Sequence, residues 1–145
     1  MRREAAYWLR EGWSDLCNSA ILYRAGRWNA AAFYAHQAAE KALKSLFISL
    51  LHREPPHVHH LIELYIELRQ AGVELDTRLE EGLAELNKYY TVSRYPDAAA
   101  GQPYMAVTRR EAERCIETAR AVLEAAEGLS LRAGYEGTPE DIRNC

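Results

Sequence analysis

The sequence predicts an all-α fold, an antiparallel up-and-down bundle of four to five helices, and three observations point to it. Apolar residues recur at three- and four-residue steps through most of the chain. Glycine, proline and capping residues fall where those periodic stretches must start or stop. No stretch alternates apolar and polar residues with the two-residue period of a strand.

Residues 3–25 read as the first helix, with Ala5, Trp8, Leu9, Trp13, Leu16 and Ala20 on one stripe. Gly26 is its stop, because glycine takes the left-handed cap conformation without a Cβ clash. Arg27 and Trp28 make the turn and Asn29 is the expected N-cap of the second helix, residues 30–51. So short a connection makes the two helices antiparallel neighbours. The first half of the second helix is mostly alanine, which lets another helix approach closely. A second face of it carries Phe33, Gln37, Glu40, Lys44 and Ile48, with His36 and Lys41 beside it. That face is either a solvated surface or a polar stripe lining a groove or a subunit interface.

Pro55 and Pro56 force a loop after it. The third helix spans residues 60–70, opened by His59 or His60 with one ring bonded to local backbone. The fourth spans 77–90, with a capping box at Thr77 and Glu80 and a close-packed glycine at Gly82. A long connection leads to the fifth helix, residues 108–127, opened by a second capping box at Thr108 and Glu111 and stopped by Gly128. The bundle is therefore expected over residues 1–129. Residues 130–145 form a peripheral tail with a short helix start at Thr138 and Pro139.

Composition limits the function. Hydrophobic residues make up 48% and charged residues 27% of 145, values that exclude a disordered chain. The net charge of -3 excludes a global basic field for gripping nucleic acid, so any such contact needs a local cluster. Arginine outnumbers lysine by 15 to 3, and its planar fork suits phosphate and carboxylate. Cys17 and Cys115 lie within helical patterns and read as buried thiols, and Cys145 as an exposed bystander. No apolar run reaches the roughly 18 residues that span a bilayer. A cytoplasmic protein away from membranes is expected. His57, His59 and His60 lack the cysteine and carboxylate partners of a zinc site, so neither a metal nor a cofactor is expected.

One stretch carries more chemistry than a turn requires. Tyr89, Tyr90, Arg94, Tyr95 and Asp97 fall within nine residues, where the helical pattern stops at Pro96. Arg94 serves either as a local clamp, pairing Asp97 or capping carbonyls, or as a phosphate contact with Tyr90 or Tyr95 stacking on a base. Lys41 and Lys44 would join it if the second helix lines the same groove, with Arg109, Arg110 and Arg114 adding charge from the fifth.

Three motifs then stand in one order: Gln37-Ala38-Ala39-Glu40-Lys41-Ala42-Leu43-Lys44, His59-His60-Leu61, and Tyr89 through Arg94-Tyr95-Pro96-Asp97. Over residues 5–127 the chain resembles the HEPN family, the domain of higher eukaryotes and prokaryotes named for nucleotide binding. That resemblance implies a helical bundle forming homodimers, with a minimal nucleotidyltransferase as a frequent partner. Some members are RNase toxins that use an arginine four to six residues before a histidine. Here Arg53 precedes His59 with five residues between, but Leu61 stands where those toxins place a tyrosine. The site residues expected are thus Arg94, Tyr95, Asp97, Tyr90, Lys41 and Lys44 for a nucleotide or RNA ligand. Arg53 and His59 belong to the alternative, a metal-independent RNase toxin, and a purely structural adaptor is the third reading.

Overall fold

Alanine brings the first two helices together. In the computed structural model, which describes residues 2–145, α1 (Arg2–Arg24) and α2 (Trp28–Ser49) form a hairpin through a turn at 25–27. Gly26 in that turn has φ +78°, the left-handed conformation expected of a helix stop. Ala31, Ala32, Ala35, Ala38, Ala39 and Ala42 are all fully buried along α2. The helix begins one residue before the expected cap, so Asn29 is not its N-cap. Its Nδ2 instead donates to the Ser93 carbonyl at 3.1 Å, tying the start of α2 to a distant loop.

The remaining elements wrap this hairpin. They are α3 (Leu61–Gln70), α4 (Thr77–Leu86), three single turns α5 (Tyr89–Val92), α6 (Pro96–Ala99) and α7 (Pro103–Ala106), then α8 (Arg109–Arg132) and α9 (Glu140–Arg143). The long helices α1, α2 and α8 pack against one another, and the short pair α3 and α4 closes the side of α2 and α8. Leu43, Leu46, Phe47, Leu61, Leu64, Leu83, Leu86 and Leu123 fill the space between them. Each contributes ~1.5–3 kcal/mol by leaving water. No described helix is long and apolar enough to cross a membrane.

Several boundaries differ from the sequence reading for local reasons. Asp76, not Thr77, caps α4, its carboxylate accepting from the Leu79 N–H at 3.0 Å. The fourth helix stops at Leu86 because Asn87 turns its side chain to the start of α3, accepting from the Leu61 N–H at 2.7 Å. Gly128 does not stop α8, which continues to Arg132, and Gly82 does sit where a Cβ would come within 2.8 Å of Thr118. The Thr108–Glu111 capping box forms with both of its bonds. Cys17 and Cys145 are neither thiol nor bystander but a disulfide joining α1 to the chain beyond α9. Cys115 is buried, and burial pushes its thiol up to about 12. Beyond α8, Thr138 is buried and its N–H donates to Glu127, whose other oxygen accepts from Trp13 of α1.

A Cβ at Gly12 would stand 2.9 Å from Leu123 and 3.2 Å from the Ala38 carbonyl oxygen, so α1, α2 and α8 meet there without side-chain space. Gly12→Val is expected to lower the urea midpoint by the equivalent of ~1–3 kcal/mol. At Gly128 the nearest atom to an added Cβ is the Arg132 guanidinium at 3.7 Å. Gly128→Ala should therefore raise stability by up to ~1 kcal/mol through helix propensity. Equal midpoints for the two variants would contradict the close approach at Gly12.

Candidate functional site

The polar face of α2 is buried, and that burial builds the site. Glu40 and Lys44, one helical turn apart, are 4% and 6% exposed, and their side chains pair at 3.1 Å. Two charges that deep are stable only when paired and bonded further. Lys44 Nζ also lies 5.5 Å from the centre of the Trp8 ring on α1. Both oxygens of Glu40 lie 3.2 Å from Nδ1 of His59, which stands just before α3. The result is a row of Lys44, Glu40 and His59 running from the interior to the surface.

The helix start beside His59 fixes its direction. His60 is the N-cap of α3, its Nδ1 accepting from the Glu63 N–H at 3.2 Å, as expected for a histidine opening this helix. Asn87 lies 3.1 Å from Nε2 of His60 while holding the Leu61 N–H. With that corner pinned, the His59 ring stacks on Tyr90 of α5, 4.7 Å between centres and 13° from parallel.

Arg94 meets Tyr90 as well. Its Nε and Nη2 donate to the Tyr90 carbonyl at 2.9 and 2.8 Å, so it does cap a carbonyl, and Asp97 is not the group that holds it. The guanidinium carbon lies 4.6 Å from the Phe33 ring centre, 4.5 Å from Tyr90 and 4.9 Å from Tyr95. Arg94 and Tyr95 are exposed and Tyr90 is half-buried.

Beneath this ledge lies His36, fully buried, its ring centre 5.3 Å from that of Tyr90. Burial, opposed by the bond to Gln37 and the charge of Glu40, lowers its pKa from 6.5 to about 4. The ring is therefore neutral at pH 7. Its Nδ1 lies 3.2 Å from the Gln37 oxygen, and its buried Nε2 has no hydrogen-bond partner among the described residues.

The structure thus gathers Arg94, Tyr95, Tyr90, His59 and, through Glu40, Lys44. It sends other expected residues elsewhere. Lys41 points to α1 and pairs with Asp15 at 2.6 Å. Asp97 is exposed on the first turn of α6. Arg109 and Arg114 are engaged by Glu113 at 3.4 Å and Glu85 at 2.7 Å. Arg53 lies over Phe47 at 4.9 Å and lines a separate hollow of about 370 Å³ with Trp8, Lys44, Ile48, Pro56 and His57. His59 lines another hollow with His60, Asn87, Lys88, Tyr90 and Thr91. Phe33, Glu40 and His36, which the sequence placed on or beside the second face of α2 but not among the expected ligand-binding residues, belong to the site. Their signal was present in the i, i+3 and i+4 steps from Phe33 through His36 and Glu40 to Lys44. Among the described residues, no three His, Cys, Asp or Glu side chains converge as a metal-binding group.

Fold and site together define a class: a helical bundle presenting a surface arginine among aromatic rings, backed by a buried Lys–Glu–His row. The model of the HEPN domain matches residues 5–129, and the chain belongs to the HEPN family. The crystal structure of TT1696 from Thermus thermophilus is 34% identical, with a TM-score of 0.79 over 88% of this chain and 98% of that one. ST0689, an archaeal HEPN homologue, is 28% identical, with a TM-score of 0.72 over 87% of this chain and 97% of that one. No curated protein matches.

His36 makes the fold sensitive to acid. In the unfolded chain it takes a proton near pH 6.5, and in the folded protein near 4. The unfolded state binds more protons between those values, so stability is full above pH 6.5 and falls as pH drops towards 4. At pH 4.5 the native protein should lose ~2–3 kcal/mol more, relative to pH 7, than His36→Leu does. Parallel losses in urea unfolding of the two proteins would contradict a neutral buried His36.

Proposed function

We propose that this HEPN chain is a nucleotide- or RNA-binding module that works as a homodimer with a minimal nucleotidyltransferase. The observation that carries the reading is Arg94. Two of its nitrogens are fixed on a backbone carbonyl, which holds the guanidinium in one orientation and leaves Nη1 for a phosphate. The rings of Phe33, Tyr90 and Tyr95 around it supply the apolar faces that accompany a base. With a net charge of -3 the protein has no general attraction for polyanions, so binding must come from this local group. Tyr95 beside it, and Tyr104 and Met105 on α7, are 47%, 57% and 70% exposed, apolar surface that supports a second copy covering part of the molecule. The family likeness supports the nucleotidyltransferase partner.

A second reading, a metal-independent RNase, is favoured by one feature. Glu40 holds Nδ1 of His59 and leaves Nε2 as the outer nitrogen, an arrangement suited to moving a proton. Arg94 would then hold the phosphate in place of Arg53, which is turned to another hollow.

Anisotropy of a labelled single-stranded RNA tests the main reading. Arg94→Ala should weaken binding about tenfold and reduce its salt dependence. Equal affinity of the two proteins would reject it. Intact RNA after long incubation would reject the RNase, whereas cleavage lost in His59→Ala and Arg94→Ala but kept in Arg53→Ala would establish it. The dimer predicts twice the 16.5 kDa chain mass by light scattering.

A further inference from the structure

Burial sorts the residues of the hollow beside Lys44 by depth. Its volume is about 370 Å³, within the roughly 300–1,000 Å³ of small-molecule sites. Lys44 and Ile48 of α2 are the deepest, 6% and 4% exposed, and form the floor. Trp8 of α1 and the loop residues Pro55 and Pro56 are half-buried and form the walls. Glu4, Arg53, Glu54 and His57 are exposed at the mouth.

The loop wall is set before any ligand arrives. His52 turns the chain at φ +54°, a left-handed conformation that histidine tolerates better than most residues. The next N–H, that of Arg53, donates to the Phe47 carbonyl at 3.2 Å, and the Arg53 guanidinium lies 4.9 Å from the Phe47 ring centre. Pro55 and Pro56 then fix their own φ angles. A wall held this way loses little freedom on binding.

The floor presents one sign of charge. Lys44 Nζ is 3.1 Å from Glu40 Oε2, but Glu40 does not line the hollow, so the pair meets the open space through its cation. Nζ also lies 5.5 Å from the centre of the Trp8 ring, itself a wall of the hollow. An ammonium has three N–H donors, and Glu40 is its only ion-pair partner among the described residues. The charges at the mouth are exposed and screened by water, so the buried ammonium decides what the floor accepts.

We propose that this hollow binds a small monocarboxylate with a flat apolar body, its carboxylate on Lys44 and its body against Trp8, Ile48 and Pro56. Charge sets the head group. A carboxylate adds one negative charge beside Glu40, whereas a phosphate dianion adds two, each repelled by Glu40 behind Lys44 and by Glu4 and Glu54 at the mouth. Lysine is also a point charge, without the arginine fork that grips phosphate. The site is independent of the nucleotide reading, which rests on Arg94 and its rings.

Titration of the full chain with phenylacetate, phenylacetamide and benzylphosphonate, followed through the indole N–H resonances by NMR, tests this. The pH is held above the second pKa of the phosphonate. Phenylacetate should move the Trp8 signal, assigned with Trp8→Phe, and leave in place that of Trp28, about 30 Å away along α2. It should bind roughly tenfold more tightly than the uncharged amide, and more tightly than the phosphonate. Lys44→Met should erase the preference over the amide. An unmoved Trp8 signal at millimolar probe, or equal affinity for acid and amide, overturns the proposal. So does a preference that survives in a folded Lys44→Met, and tighter phosphonate binding overturns the choice of carboxylate. Because Lys44→Met strands Glu40, the second variant is Glu40→Gln with Lys44→Met, which removes both charges. Should neither fold, the three probes on the native protein decide.

Discussion

Fifteen of the 22 residues of α2 are buried, and the rest of the structure follows from that constraint. A helix with one apolar stripe can turn its polar residues to water. One covered on most of its circumference cannot. The alanines admit α1 and α8, and the price is that His36, Glu40 and Lys44 lie inside. Glu40 and Lys44 neutralise each other, and His59 completes the bonding of the carboxylate. His36 is left neutral, with one nitrogen unpartnered among the described residues. The ledge on the surface is the outer end of this interior arrangement.

The ledge is also rigid for reasons close at hand. Arg94 bonds the carbonyl four residues before it, Asn87 pins the first residue of α3, and Asn29 reaches across to Ser93. Glu111 serves two elements, closing the capping box of α8 and accepting the Tyr89 hydroxyl at 2.7 Å. Groups held this way lose little freedom when a ligand arrives, which is where binding sites gain affinity.

Periodicity made the long helices legible, because heptad-like stripes such as Leu43, Leu46, Phe47 and Leu50 have no other use. It failed where side chains competed with backbone. Asn87 and Asp76 redirected the ends of α4, and Asn29 found a partner 64 residues away. Motif order pointed to Arg94, Tyr90 and Lys44 but also to Lys41, which is paired with Asp15 of α1. Spacing along a helix says which residues share a face, and it does not say whether that face meets water or another helix. For Glu40 and Lys44 that difference separates a weak surface pair from a buried one that orients His59.

The bond between Cys17 and Cys145 has a topological consequence. It closes 128 residues of sequence separation into one covalent loop that contains every element from α2 to α9. A protease that cuts the exposed backbone between α6 and α7 would open this loop without separating the pieces. The cut chain would remain one molecule with new ends, the connectivity of a circular permutant, until a reductant released them. In the chain-entropy view so large a closure removes about 5 kcal/mol of freedom from the unfolded chain. The first helix and the chain beyond the last are thus the two sides of a single seam, and the unfolded chain gains its full freedom only when that seam is reduced.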